Sequence, residues 1–157
     1  MAENIVHVSA EFPKGRIQNL ALNFDLLNSE SESAHPCLLK GFLEAETIAD
    51  RLRKESSMIT SENIDAVVSN CILNIVVSDL KLQLLGELFR MLKPGERAVV
   101  SDIVGSDNVP ETLQRNPELW SGCISGALRE DQFLRAFADA GFNPARILKR
   151  DESPCAK

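Results

Sequence analysis

Ile64-Asp65-Ala66-Val67-Val68-Ser69-Asn70 is the stretch that decides the fold. It is a short apolar run with β-branched residues that ends in polar ones, the pattern of a strand buried on both faces. From Ser78 to Leu92 the residues Leu80, Leu84, Leu85, Leu88, Met91 and Leu92 recur mostly at three- and four-residue intervals, and Ser78 or Asp79 can cap the start. That spacing predicts an amphipathic helix. Lys93-Pro94-Gly95 breaks it, and Arg97-Ala98-Val99-Val100-Ser101-Asp102-Ile103-Val104 predicts a second buried strand. Strand, helix, turn and strand imply two parallel strands joined by a crossover, hence an open α/β sheet.

Outward from this unit the pattern thins. Downstream, a short helix is expected over Glu111 to Arg115, an irregular segment from Pro117 to Gly126, a helix from Glu130 to Ala140 ended by Gly141, and a last strand at Ala145 to Lys149. Upstream, Ile5-Val6-His7-Val8 alternates like a strand, and Ile17 to Leu27 allows a helix. Ser29 to Ser33 reads as an acidic, serine-rich linker with Glu30 and Glu32 solvated. Cys37 to Leu43 reads as a further strand, and Ala45 to Ser56 as a helix. A single domain over residues 1–157 suffices: a divergent part at 1–37, the regular part at 38–150 and a frayed tail at 151–157.

Composition narrows the function. The chain has 157 residues, 44% of them apolar, with 17 Lys+Arg against 23 Asp+Glu, a net charge of −6. Scattered cations and a negative balance argue against nucleic-acid binding, which depends on clustered cations and released counterions. No apolar run is long enough to span a bilayer, and the N-terminus lacks the pattern of a signal peptide, so a cytoplasmic protein is expected. Cys37, Cys71, Cys123 and Cys155 form no C-x-x-C pair and have no His pair nearby, so no metal site is expected. Taken alone, each reads as a small buried hydrophobe. His7 and His35 are isolated and read as surface or turn residues.

In parallel α/β sheets ligands sit beyond the carboxyl ends of the strands. Here those ends are Leu43-Glu44, Ser69-Asn70-Cys71 and Ser101-Asp102. A carboxylate there can accept from a ribose or an adenine amine, and a small polar residue lets a flat ring approach; equally, Ser, Asn and Asp at strand ends form turns. Trp120 reads as a packing anchor or a pocket wall, and Gly122-x-x-x-Gly126 as a loop or tight turn.

The run Asp65 to Asn74, the helix ending Arg90-Met91-Leu92-Lys93-Pro94-Gly95-Glu96 and the strand Val99 to Val104 resemble the later half of a class I S-adenosylmethionine-dependent methyltransferase. Ser69-Asn70-Cys71 together with Glu118-Leu119-Trp120-Ser121-Gly122-Cys123-Ile124-Ser125-Gly126-Ala127-Leu128 is similar to the arsenite methyltransferases. The resemblance implies a Rossmann-like, mostly parallel open sheet with helices on both faces, here shortened. It implies S-adenosylmethionine as cofactor, with Leu43, Glu44, Ser69 and Asn70 beside it, and trivalent arsenic or another thiol-bound small molecule on Cys71 and Cys123. Soft thiolates suit such an acceptor.

The sequence also departs from that pattern. No G-x-G-x-G turn occurs, and the nearest stretch, Val8 to Gly15, has one glycine and carries Phe12 and Pro13. The acidic residue expected at the end of the next strand has no counterpart, nor has the family's further N-terminal cysteine. At roughly 1.5–3 kcal/mol per hydrogen bond to a charged group, two lost bonds weaken cofactor affinity by about two powers of ten or more. The sheet is expected to be shorter than that of the family's members, which continue past residue 150 into a further strand, and to expose edges, which favours a homodimer or a partner subunit. Two readings follow: a methyltransferase acting on arsenite or another thiol-bound acceptor, or a pseudoenzyme that works as an interaction or regulatory module without cofactor.

Overall fold

The computed structural model describes residues 13–31 and 39–151. The strand expected at Ile5–Val8, His7, His35, Cys37, Cys155 and most of the Val8–Gly15 stretch lie outside them. Contacts divide the chain into two compact units, Met1–Thr60 and Ser61–Lys157.

In the first unit, turns over residues 16–22 lead into helix α1, Phe24–Glu30. The helix expected from Ile17 starts late because Asn23 caps it: its side-chain oxygen accepts from the Asp25 and Leu26 amides at 2.9 and 3.2 Å. Ser29 and Glu30, read as linker, close the last turn of α1, and Glu30 pairs with Arg51 instead of standing alone in solvent. Helix α2 spans Leu39–Glu55, so the strand expected at Cys37–Leu43 is helical from Leu39 onward. Leu, Lys, Glu and Ala favour a helix there, and the run has no β-branched residue to oppose it. Leu22, Ala49 and Leu52 form the small core, covered by Phe24, Leu27 and Ile48.

The second unit holds the parallel pair. Strand β1, Ile64–Asn70, is followed by a 3-10 turn at Leu73–Ile75, helix α3 at Ser78–Met91 and strand β2 at Leu92–Ser101. β1 pairs with β2 in parallel, Val67 opposite Ala98 and Asn70 opposite Ser101. Lys93-Pro94-Gly95 does not precede the second strand but bulges within it: Leu92 pairs with Ile64 and Arg97 with Ala66, and Gly95 takes φ +85°. The strand closes at Ser101, short of the expected Val104, because the Asp102 carboxylate accepts from the next amide, Ile103 N, at 2.9 Å.

β1 is covered on one face only. Val67, Ser69, Ala98 and Val100 are half-buried, whereas Val68 is 80% exposed and Val99 opposite it is also exposed. An apolar run reports hydrophobicity on both faces without saying which is covered. The inward stripe of α3 is Lys81, Leu84, Leu85, Leu88 and Met91, and Leu80 sits outside it.

Short helices α4, Glu111–Gln114, and α5, Pro117–Ser121, precede α6, Glu130–Asp139. The segment read as irregular from Pro117 is helical in its first turn because the Asn116 side chain accepts from the Glu118 and Leu119 amides, with Pro117 at the first position. Phe137 of α6 is buried, and Phe142 stacks edge-on against Phe89 of α3 and Phe137 at 5.2 and 5.5 Å between ring centres. Gly141 makes this close approach possible: its φ is +108°, and a Cβ there would stand 2.9 Å from the Phe89 ring. Ala145–Lys149 is not a strand. Its pattern allows one, but a strand needs a neighbour for its amides and carbonyls, and none of the described strands flanks it. Among the described residues no helix is long and apolar enough to cross a membrane.

Candidate functional site

The carboxyl ends of β1 and β2 carry the polar residues that the sequence singles out. The ladder continues one step past β1, where the Cys71 amide donates to the Ser101 carbonyl at 2.8 Å. There the chain turns sharply, with Cys71 at φ +55°. Few residues other than glycine take that conformation. Asp102 holds the turn: its second oxygen accepts from Leu73 N at 2.9 Å and from Asn74 N at 3.3 Å. This carboxylate is occupied by the loop's own amides.

Cys123 arrives from the other direction. Gly105 accepts from Glu130 N at 3.1 Å and donates to Leu128 O at 3.0 Å, which returns the 120–128 segment to the sheet. Helix α5 then ends in a Schellman turn: Cys123 N donates to Trp120 O at 3.0 Å and Ile124 N to Leu119 O at 2.9 Å. Gly122 is the last capping residue, so Cys123, at φ +59°, occupies the left-handed position that glycine usually takes. Of the described residues other than glycine, the third with positive φ is Glu62, in the turn before β1.

The two turns meet. Cys123 is buried, and its Sγ–H donates to the Cys71 carbonyl at 3.0 Å. Burial pushes the Cys123 thiol up from its ordinary value, and the Cys71 thiol and the Asp102 carboxylate push it the same way. Cys71 is half-buried, and its Sγ–H points to Asn70 Oδ1 at 3.7 Å. Neither cysteine is in a disulfide. Behind them Asn74 is fully buried, its Nδ2 donating to Ile103 O at 2.6 Å and its Oδ1 accepting from Lys81 Nζ at 3.5 Å. Lys81 Nζ also donates to Leu73 O at 2.5 Å, and burial lowers its pKa to about 8 against the opposing pull of Asp102. Gly126 closes the contact between the loops, since a Cβ there would lie 2.0 Å from Asn74 O. Gly122 and Gly126 thus sit in turns, and Trp120 packs over Gly126 while its Nε1 donates to Gln114 O at 2.6 Å.

Ser69 and Asn70 end β1 beside Cys71, and Ser69 Oγ is buried with no hydrogen-bond partner. Leu43 and Glu44 are not at a strand end: both are exposed on α2 in the first unit, where Glu44 pairs with Lys40 at 3.7 Å. The strand end that placed them beside an adenine ring is a helix interior. Sequence reasoning passed over Asn74 and Lys81. The signal for Lys81 was its spacing: it lies three, four and seven residues before Leu84, Leu85 and Leu88, on the apolar stripe itself. Among the described residues no group of three or more His, Cys, Asp or Glu is arranged to hold a metal ion.

The methyltransferase domain family matches residues 39–141, about two thirds of the chain and all of the site just described. The chain belongs to that family. It is S-adenosylmethionine-dependent-methyltransferase-like, and the parallel α/β unit of β1, α3 and β2 is part of that fold. It is similar to the arsenite methyltransferase of Halobacterium salinarum, 31% identical over 111 residues, which cover 70% of this chain and 28% of that protein. It is also similar to the arsenite methyltransferase of Mus musculus, 38% identical over 93 residues, 59% of this chain and 24% of that one. The crystal structure of an arsenic (III) S-adenosylmethionine methyltransferase from Chlamydomonas reinhardtii aligns with a TM-score of 0.47 at 25% identity, over 68% of this chain and 40% of that one. This methyltransferase-family chain spans about a quarter of the length of the curated relatives it matches.

Proposed function

We propose that the chain carries the acceptor-binding part of a methyltransferase, with Cys71 and Cys123 holding a thiophilic acceptor such as trivalent arsenic. The observation that carries this reading is the meeting of two strained cysteine turns, Cys123 Sγ lying 3.0 Å from the Cys71 carbonyl. Left-handed cysteines cost energy and persist where the surroundings fix them, a pattern that clusters at ligand clamps. A thiol whose pKa is raised can still react with arsenite: an As–S bond forms, an As–OH bond breaks, and hydroxide leaves with the thiol proton as water. Neither arsenic nor sulfur changes oxidation state.

The family implies S-adenosylmethionine, and the residues present fit it in one place. The buried, unpartnered Ser69 Oγ at the carboxyl end of β1 lacks a polar partner that a ligand would supply, and Asn70 adds a carboxamide beside it. When bound, the cofactor would supply a sulfonium methyl as the electrophile for an acceptor held by the two cysteines. Ser69 and Asn70 would hold the ligand, Asp102 keeps the Cys71 loop in place, and the cysteines orient the acceptor. Thiol-bound small molecules of like softness are the wider acceptor class, and a cytoplasmic setting suits free thiols.

The test is arsenite titration of the chain with Cys37 and Cys155 changed to Ser. One arsenic per chain is expected, with uptake lost when Cys71 or Cys123 is also changed. S-adenosylhomocysteine at about a hundred times its dissociation constant should stabilise the protein by about 2.7 kcal/mol. Arsenic uptake that survives both substitutions removes the thiol pair from the site, and no thermal shift at millimolar S-adenosylhomocysteine favours the pseudoenzyme reading.

A further inference from the structure

We infer that Lys81, acting through Asn74 and Asp102, is a positioning residue for the thiol pair: it fixes the loop that carries Cys71 against the loop that carries Cys123, so that two sulfurs face one acceptor atom. This rests on the function proposed above.

Lys81 is 6% exposed and stands on the inward stripe of α3, where Leu85, Leu128, Phe133 and Phe137 share its cavity. An apolar side chain would fill that place without the cost of removing an ammonium group from water. What the ammonium does there is specific. It donates to Leu73 O and Asn74 Oδ1, so the Asn74 carboxamide turns its Nδ2 toward Ile103 O. Leu73 and Asn74 are the same two residues whose amides Asp102 holds. One loop is therefore gripped at its amides by a carboxylate, and at the Leu73 carbonyl and the Asn74 side-chain oxygen by a lysine.

The grip reaches both cysteines. Cys71 is two residues before Leu73, and its left-handed turn is set between the Ser101 ladder bond and the Asp102 clamp. On the other side, the Asn74 carbonyl touches Gly126, three residues after Cys123, with no room for a Cβ between them. Asn74 thus keys one cysteine loop to the other, and Lys81 keeps Asn74 in register. Two buried acceptors, Leu73 O and Asn74 Oδ1, lose this donor when Lys81 is removed.

Bidentate capture needs the distance between two sulfurs; alkylation of a single thiol does not. The experiment uses the full chain with Cys37→Ser and Cys155→Ser, alone and with Lys81→Met or Asp102→Asn. Each protein is titrated with phenylarsine oxide, which forms two As–S bonds while two S–H bonds break and its oxygen leaves as water. The iodoacetamide alkylation rates of Cys71 and Cys123 and the circular dichroism are measured in parallel. The Lys81→Met protein should bind phenylarsine oxide about 10–100-fold more weakly, the loss typical for groups that orient a ligand set, with alkylation rates and circular dichroism unchanged. Asp102→Asn replaces one of the two accepting oxygens by an NH2 that faces a backbone N–H, should also lose affinity, and decides the matter if Lys81→Met does not fold. Equal phenylarsine oxide affinity in the parent and both variants overturns the inference, as does an affinity loss matched by faster alkylation, which is ordinary loosening. A parent that does not bind phenylarsine oxide refutes the proposed function itself, and this inference with it.

Discussion

The two units use their polar groups differently. In the first, charged side chains pair on the surface, Lys14 with Asp25, Lys40 with Glu44, Arg51 with Glu30 and Arg53 with Asp50, around a core of Leu22, Ala49 and Leu52. Exposed pairs of this kind contribute between nothing and about 1 kcal/mol each. The second has such surface pairs as well, Lys93 with Asp65 and Arg150 with Glu130 among them, but there Asp102, Asn74 and Lys81 also form a network, partly to fully buried, that bonds to loop backbone. Surface pairs are tolerant of movement, whereas buried polar groups bonded to a backbone allow one arrangement. The buried network of the second unit lies at the ends of β1 and β2.

The contrast can be broken first at the cores. Leu84 and Leu52 are both fully buried, and each change to Ala should cost about 2–5 kcal/mol in denaturant unfolding. Hydrogen exchange sharpens the comparison. Leu84→Ala should speed exchange in β1, α3 and β2, and Leu52→Ala in α1 and α2; equal acceleration throughout by either would show that the units do not open separately. Next comes the contact between the cysteine loops. Gly126→Ala drives a Cβ to 2.0 Å from a backbone oxygen, and should cost about 3 kcal/mol and arsenical binding together. A stable Gly126→Ala protein that binds normally would show that the loops need not touch.

A smaller effect is expected from pH. Lys81 has a folded pKa of about 8, below its ordinary 10.5, so between these values the unfolded chain binds more protons and stability rises with pH. Cys123 is raised above its ordinary 9.0, so its contribution runs the other way and is lost as pH climbs past that value. Subtracting the pH profile of Lys81→Met from that of the parent isolates the lysine. The difference should rise from pH 8 to 10.5; a flat difference would place Lys81 in water. Smallest are the caps: Asn23→Ala and Asn116→Ala should each cost about 1 kcal/mol, the first read in α1 and the second in α5. Loss of arsenical binding in Asn23→Ala would contradict the placement of the site in the second unit.

Much of the parallel unit was legible because its periodicities are long and distinct: β-branched residues over Ile64–Asn70, three- and four-residue spacing over Ser78–Met91, and Val99-Val100 after a Pro-Gly break. The strand expected at Cys37–Leu43 is helical over its described part, Leu39 to Leu43: a short apolar run suits either form, but leucine and lysine favour a helix and no β-branched residue opposes it. Ala145 to Lys149 failed because a strand is a property of two segments. The cysteine pair was legible only by resemblance; spacing alone cannot bring residues 71 and 123 together. Their left-handed conformations were hidden because cysteine stands where glycine is usual, and Lys81 was hidden because a lysine among leucines reads as an exposed interruption.

The most direct test of the thiol pair is X-ray absorption at the arsenic edge on the arsenite-loaded chain with Cys37 and Cys155 changed to Ser. Two sulfur neighbours are expected, and sulfur-bound arsenic should be lost when either Cys71 or Cys123 is changed. A shell of oxygen alone, or two sulfurs that persist in either variant, would contradict a site built from these two cysteines.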